Sequence, residues 1–444
     1  MRVLVAGLGK SGWSAIDLLR SRGAIPIACD SRPAHEIPGA RERILAANVE
    51  FRTQSAGAFQ GVDLVVLSPG VPVEAVEGAA VPVIGELELA SHFLMGPSIG
   101  ITGSNGKTTT TSLVGHMLAH AGVPCQVGGN IGTPPTAMIA TSRADQYNVL
   151  ELSSFQLETA SNFRAKIGVC LNVTPNHLDR HGTFERYAAA KERLFRTQSA
   201  EDFAVLNADD ATCVGFAATA KAQAVWFCAS HDVSPGVWLG SGQLRYEGGV
   251  LMEADEIPLR GSHNVENVMA AAAACLLAGA APAKIREAVA TFRPVEHRLE
   301  LVRTVNGVEY FNDSKATSTD AAMKAIDAFP GRLWIILGGK AKEKDYGVLR
   351  DKLREKARGA LLIGAAAPLI GEQLAGAIDV VQSGDIASAV SYAASHAARG
   401  DTVLLSPACA SFDQFSSYEH RGQVFKQLVN SLPDGANAER TPAP

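Results

Sequence analysis

The stretch Thr102-Gly103-Ser104-Asn105-Gly106-Lys107-Thr108 leaves a chain few ways to fold. It follows the apolar run Ile99-Gly100-Ile101 and precedes a segment, residues 109–119, that reads as a helix. Strand, glycine-rich turn and helix in that order aim backbone N–H groups and the positive end of a helix dipole at one point, which makes an anion site at the edge of an α/β sheet. Lys107 would neutralise a phosphate there, and Thr108 would ligate Mg2+. A full Walker A spacing needs glycine at position 101, where the chain has Ile101, so the loop is a shortened GxxGKT form. The plainer alternative is a glycine-rich turn with a solvated lysine.

The same alternation recurs on either side. Residues 2–6 read as a strand, Gly7-Leu8-Gly9-Lys10-Ser11-Gly12 as a turn, 13–22 as a helix, 25–29 as a strand, and 64–67 as a buried strand ending in Ser68-Pro69-Gly70. After the phosphate loop come strands 147–152 and 167–173 and helices 264–277 and 282–291, then strands 307–311, 333–337, 359–363 and 402–405 with a helix over 320–328. A chain of 444 residues exceeds one hydrophobic core. The expectation is three α/β domains: a Rossmann-like sheet in 1–94, a P-loop ATPase-like sheet in 95–294 and a second Rossmann-like sheet in 295–444. The Pro- and Ala-rich tail 434–444 is expected to fray.

Composition excludes several classes. Net charge is -5, so no basic field recruits nucleic acid, and anionic substrates must be met by individually placed Lys and Arg. The 7 cysteines are scattered without a CxxC pair, which argues against a disulfide framework or a zinc site and fits a reducing compartment. No apolar signal core opens the chain, and the longest apolar run, 268–281, is too short to span a bilayer. These features predict a soluble cytoplasmic protein with no membrane partner.

The remaining polar clusters lie after strands, where open α/β sheets bind ligands. Glu151 closes one strand as a candidate metal partner, and 172–181 is dense in ligand-type side chains. Mg2+ prefers oxygen, so His177 would be an unusual ligand on chemical grounds alone. The turn 7–12 with Asp30 at the end of the next strand matches the dinucleotide fingerprint, which keeps a nicotinamide-dependent oxidoreductase open. Asp313 and Lys315 in 311–318 offer a carboxylate and a cation, or else form a solvated turn. His297-Arg298, 338–342 and 406–411 complete the set.

Taken in order, residues 102–108, Glu151-Leu152-Ser153-Ser154-Phe155-Gln156-Leu157, 172–179, Asn312-Asp313-Ser314-Lys315-Ala316-Thr317 and Ser406-Pro407-Ala408-Cys409-Ala410-Ser411 resemble the Mur ligase family, over nearly the whole chain. The resemblance implies an ATP-dependent amide ligase of peptidoglycan precursor synthesis, using ATP and Mg2+, with UDP-N-acetylmuramoyl-L-alanine and D-glutamate as substrates and a monomeric state. It implies an ATP site of Gly103, Ser104, Asn105, Gly106, Lys107, Thr108, Thr109, Asn264, Asn267, Arg298, Asp313 and Lys315. It places the UDP-sugar at Lys10, Ser11, Asp30, Ser31, Arg32, Ser68, Gly70, Asn130 and His177, and glutamate at Thr317, Lys342, Ser411 and Tyr418. Thr108, Glu151, His177 and Lys191, the last as a carbamate, would hold metal, and Lys107, His177, Lys191 and Lys315 would act in catalysis. Some family relatives carry an aliphatic residue in place of Lys10, and others carry Phe in place of Tyr418. Domain closure is implied, because water must be kept from an acyl phosphate. The rival readings are another Mur ligase, a folylpolyglutamate synthase, the oxidoreductase, and a nucleotide-gated regulatory protein without turnover.

Overall fold

A computed structural model describes residues 1–37, 39–293 and 296–433, apart from the side chains of Ala56 and Asp179. The tail 434–444 and the expected boundary residue Pro294 lie outside them. Among the described residues, twenty strands form three sheets. The first contains β1 (Arg2–Ala6), β2 (Ile25–Asp30), β3 (Glu50–Thr53), β4 (Leu64–Leu67) and β5 (Val83–Gly85), all parallel in the order β3-β2-β1-β4-β5. Alternate residues face opposite sides. Val3, Val5, Ala28 and Val66 enter one core, whereas Leu4, Ala6, Ile27, Val65 and Leu67 enter the other.

The second sheet contains β6 (Ser98–Thr102), β7 (Cys125–Gly129), β8 (Tyr147–Glu151), β9 (Ile167–Cys170), β10 (Phe203–Asn207), β11 (Gln223–Cys228), β12 (Gly236–Gly240), β13 (Gln243–Tyr246) and β14 (Gly249–Glu253). Its order is β14-β13-β12-β11-β10-β9-β6-β8-β7, parallel except for the antiparallel meander β12-β13-β14. The third contains β15 (Glu300–Val305), β16 (Val308–Asn312), β17 (Leu333–Gly338), β18 (Ala357–Ile363), β19 (Val380–Gly384) and β20 (Thr402–Leu405), in the order β15-β16-β20-β17-β18-β19 with only β15 antiparallel. Ile335, Leu337, Leu362 and Leu404 pack on one face of this sheet, and Ile336, Leu361, Ile363 and Leu405 on the other.

Two compact units carry these sheets. Met1–Pro258 with Val265–Phe292 holds the first two, and Leu259–Asn264 with the described residues from Arg293 onward holds the third. The expected boundary at 94/95 therefore falls inside one compact unit. The helix Glu86–Ser91 explains why: buried Glu88 accepts from the backbone N–H groups of Ser161, Asn162 and Phe163, tying the end of the first sheet to the second.

Two element bounds differ from expectation in ways that matter for the sites. The first helix spans Lys10–Ser21 instead of starting at Trp13, so Lys10 and Ser11 stand in its first turn. β9 stops at Cys170 instead of running to Val173, because the backbone from Leu171 onward leaves the ladder to meet the phosphate loop.

Candidate active site

The phosphate loop sits where the chain order around β6 reverses, since β8 lies on one side of β6 and β9 on the other. Such switch points open a crevice at the carboxyl ends of the strands. Gly103 has φ +153 and Gly106 φ +83, and a Cβ on Gly106 would lie 2.2 Å from Asn267 Oδ1. The helix Lys107–His120 starts directly after it. Asn172 holds the loop in register: its carbonyl accepts from the Ser104 N–H at 2.9 Å, its Oδ1 from the Asn105 N–H at 2.9 Å, and its Nδ2 reaches the Asn105 carbonyl at 3.3 Å. Ser104 Oγ donates to the Thr174 carbonyl and lies 3.0 Å from the Tyr187 hydroxyl. Thr108 and Thr109 are buried in the first helical turn.

Two lysines converge on one oxygen here. Lys107 Nζ donates to the Gly103 carbonyl at 2.8 Å and to the Ser104 carbonyl at 2.9 Å, while Lys191 Nζ donates to the same Gly103 carbonyl at 2.8 Å. Lys191 belongs to the amphipathic helix Phe184–Arg196 and is 1% exposed. Burial first, and Lys107 second, push its ammonium well below the usual lysine range. Glu151, at the end of β8, is also 1% exposed. Its Oε1 accepts from Asn130 Nδ2 at 2.9 Å, and its buried Oε2 has no hydrogen-bond partner. The segment after it forms a capping box in which Ser153 Oγ accepts from the Gln156 N–H and Gln156 Oε1 accepts from the Ser153 N–H. His177 is exposed, at φ +53, and occupies the N-cap position of the short helix Leu178–His181 without a capping bond from its side chain, and its ring lies 5.0 Å from that of Phe155.

At the switch point of the first sheet, between β1 and β4, Gly7, Asp30, Ser31 and Gly70 line a cavity of about 610 Å³ together with Gln54 and Phe59. Gly12 must stay small, since a Cβ there would lie 1.9 Å from the Gly7 carbonyl. Asp30 is 7% exposed and its oxygens are engaged locally: Oδ2 accepts from the Leu8 N–H and Oδ1 from the Arg32 N–H and guanidinium. Against burial, these bonds hold its carboxyl below the usual range. Ser68 Oγ donates to the Gly7 carbonyl at 2.7 Å, bracing the turn from behind. Lys10 Nζ contacts the Gly132 carbonyl. Asn267 Oδ1 accepts from Thr110 Oγ1 at 3.2 Å.

In the other unit, the carboxyl ends of β16, β20 and β17 bring together the three polar segments 312–317, 406–411 and 338–342. Asp313 is buried, accepts from Ser406 Oγ at 2.9 Å, and is pushed up to about 7 chiefly by burial. Arg298 lies close enough to oppose that rise, and its buried Nε has no hydrogen-bond partner. Lys315 Nζ stands 5.6 Å from the Tyr418 ring. Ser411 is buried, Thr317 half-buried and Lys342 exposed. Asn264 Nδ2 donates to the Arg260 carbonyl at 2.7 Å.

Sequence reasoning missed the residue that organises this edge. Arg421, in the helix Tyr418–Asn430, is 0% exposed and donates to Ser314 Oγ, to the Ser314 carbonyl at 2.8 Å and to the Cys409 carbonyl at 3.1 Å. Burial lowers its guanidinium to about 10. Its neighbours Glu419, His420, Gln423 and Lys426 give it the look of a solvated helix face, so no local signal marks it. The roles of Asn172 and Tyr187 as loop supports were also missed, because each depends on a contact with Ser104 or Asn105 that is distant in sequence.

Three domain families match the chain: the Mur ligase MurD-like N-terminal domain at residues 1–85, the Mur ligase middle domain at 101–275, and the Mur ligase glutamate ligase domain at 297–409. The UDP-N-acetylmuramoylalanine–D-glutamate ligase of Solibacter usitatus is 58% identical, covering 97% of this chain and 98% of that protein. The enzyme of the same name from Koribacter versatilis is 47% identical, covering 98% of both. Among solved structures, the MurF ligase of Thermotoga maritima in complex with ADP superposes with a TM-score of 0.63 at 18% identity, covering 96% of this chain and 95% of that one. With three successive domain matches and relatives of this identity over nearly its full length, the chain belongs to the Mur ligase family.

Proposed function

We propose that the chain is an ATP-dependent ligase that forms an amide between UDP-N-acetylmuramoyl-L-alanine and D-glutamate, releasing ADP and phosphate, in the cytoplasm. The observation that carries this reading is the grouping at the carboxyl edge of the second sheet: a phosphate loop, a buried carboxylate with one unpartnered oxygen at Glu151, and a buried amine at Lys191. The names of the curated relatives support the choice of substrates. Among the described residues no helix is long and apolar enough to cross a membrane.

The alanine carboxylate attacks the γ-phosphoryl group of ATP, because a carboxylate oxygen must become phosphate before it can leave. Gly103 to Thr109, Asn264, Asn267, Arg298, Asp313 and Lys315 serve the nucleotide. Lys107 and Lys315 offset the charge gathered in transfer. The glutamate amine then attacks the acyl carbon, and phosphate departs. Thr317, Lys342, Ser411 and Tyr418 hold the glutamate carboxylates. Lys10, Ser11, Asp30, Ser31, Arg32, Ser68, Gly70, Asn130 and His177 serve the UDP-sugar. The three functions are assigned to 1–94, 95–294 and 295–444, and the working state is a monomer.

The residues present fit a divalent cation. Glu151 Oε2 is buried without a partner, and the two lysines sharing the Gly103 carbonyl repel one another unless one loses its charge. Addition of CO2 to the neutral Lys191 amine forms an N–C bond, releases one proton and leaves an anion beside Lys107. Thr108, Glu151, His177 and the Lys191 carbamate would then hold Mg2+, whose oxygen preference the carboxylate and carbamate meet. When bound, Mg2+ adds positive charge beside the phosphates.

Purified protein should release phosphate only when ATP, Mg2+, UDP-N-acetylmuramoyl-L-alanine and D-glutamate are all present. Equal turnover with folate and glutamate, with L-glutamate, or oxidation of a reduced nicotinamide would overturn the assignment.

A further inference from the structure

At the far side of the second sheet, Asp209, Cys228 and His231 gather at the carboxyl ends of β10 and β11. The parallel register puts Asn207 opposite Phe227, and the Ala208 N–H donates to the Phe227 carbonyl, so Asp209, two residues past Asn207, and Cys228, the last residue of β11, emerge at the same end of the sheet. Cys228 Sγ lies 3.1 Å from His231 Nδ1 and 3.4 Å from Asp209 Oδ1, and the last two atoms are 4.0 Å apart. One sulfur, one imidazole nitrogen and one carboxylate oxygen bound tetrahedrally to zinc would be separated by about 3.3–3.6 Å, given bond lengths of about 2.0–2.3 Å. The three contacts bracket that range.

We propose that Cys228, His231 and Asp209 form a binding site for a thiophilic transition metal of the Zn2+ class, separate from the phosphate loop. Five strands run in the order β11-β10-β9-β6-β8, so the site stands three strands from β6, about 14 Å at the usual strand spacing. The donor set excludes Mg2+ as its natural occupant, because sulfur and nitrogen select softer ions. Cys228 is 0% exposed and sits on a strand end, whereas the His231 side chain is 58% exposed and gives the ion a way in. Asp209 is pre-aimed: its Oδ2 accepts from the Ala229 N–H at 2.7 Å, turning Oδ1 toward the sulfur. Hydrogen bonds from Ser230, Ala229 and Cys228 outweigh burial and hold its carboxyl below the usual range. Ser230 Oγ, 2.9 Å from His231 Nδ1 and bonded to Asp209 Oδ1, holds the same atoms in place. Binding replaces the Cys228 S–H bond with an S–metal bond and releases the proton to solvent. Three protein ligands leave a fourth position for water.

The spacing Cys228-Ala229-Ser230-His231 was legible in the chain, but its third ligand comes from another strand, which is why a search for paired cysteines passed over it. The test is Co2+ titration of the untagged full-length chain in excess Mg2+. One equivalent should bind with a thiolate-to-metal charge-transfer band, Zn2+ should abolish that band, and Zn2+ should raise the unfolding midpoint. Cys228→Ser and the surface variant His231→Ala should both lose the band and the thermal shift, while His231→Ala keeps the wild-type fold by circular dichroism. A band that survives in Cys228→Ser, or Co2+ binding to the wild type without any thiolate band, overturns the proposal.

Discussion

Replacing Arg421 with Met tests whether a buried cation bonded only to neutral acceptors holds the carboxyl edge of the third sheet together. All of its hydrogen bonds go to neutral acceptors: Ser314 Oγ, and the Ser314, Cys409, Gly338 and Ala410 carbonyls, the last two at 3.5 and 3.4 Å. Methionine fills most of the volume but leaves the Ser314 and Cys409 carbonyls without donors, at about 1–3 kcal/mol each. Relief from burying a guanidinium offsets part of this loss, leaving a net destabilisation of about 2–4 kcal/mol. Because Ser314 and Cys409 belong to the segments that carry Thr317 and Ser411, the residues proposed for glutamate, KM for D-glutamate should rise more than kcat falls in the fraction that folds. Arg421→Lys retains the charge but not the fork, and should fall between the two. Urea unfolding and steady-state kinetics measure both quantities. A Met variant within about 0.5 kcal/mol of wild type, with unchanged KM, would refute the reasoning.

The phosphate loop gives a second test. Gly106→Ala should cost about 1–2 kcal/mol for the positive φ alone and weaken nucleotide binding further, since its methyl would meet Asn267; isothermal titration with ATP detects this, and wild-type affinity counts against it. Lys191→Ala should lose turnover, with partial recovery in short carboxylic acids if a carbamate is what is missing; full activity in plain buffer rejects the carbamate. Glu86 is buried, accepts from the Thr136 N–H and hydroxyl, and is raised from 4.5 to about 7, mainly by burial. Between those values the folded state keeps a proton that the unfolded chain has lost, so stability falls as pH rises, by roughly 3 kcal/mol in all. Glu86→Gln should flatten that slope in denaturant titrations from pH 5 to 8, and an unchanged slope would place the proton elsewhere.

Much of this was readable from residue order. Strand cores announced themselves because each sheet buries both faces, giving apolar runs such as Leu333 to Leu337 and Thr402 to Leu405. The carboxyl-edge clusters were readable too, since glycine, lysine and hydroxyl residues follow those runs directly. What stayed hidden depends on contacts distant in sequence. Lys191 is marked in the sequence only through the family resemblance, and it is the helix Phe184–Arg196 that turns it onto the Gly103 carbonyl. Asp30, expected to face a ligand, spends its oxygens on the N–H groups of Leu8 and Arg32. The early start of the first helix escaped notice because Lys10, Ser11 and Gly12 carry no apolar period.

The shortened loop shows how the two kinds of information combine. A glycine at position 101 would lengthen the turn, but Ile101 is fully buried in β6 and pairs with Glu151 and Val169, so the strand continues where a longer loop would begin. Fewer loop residues mean fewer internal hydrogen bonds to fix their shape. Here the segment that follows β9 supplies the fixation from outside, through Leu171 and the carbonyl and side chain of Asn172. The same close approach brings the carboxyl end of β8 and the helix bearing Lys191 up to the loop, and requires glycine at 103, where a Cβ would lie 3.0 Å from that of Leu171. A shorter loop therefore trades its own rigidity for neighbours that bring a buried carboxylate, Glu151, and a buried amine, Lys191, to the edge where the loop turns.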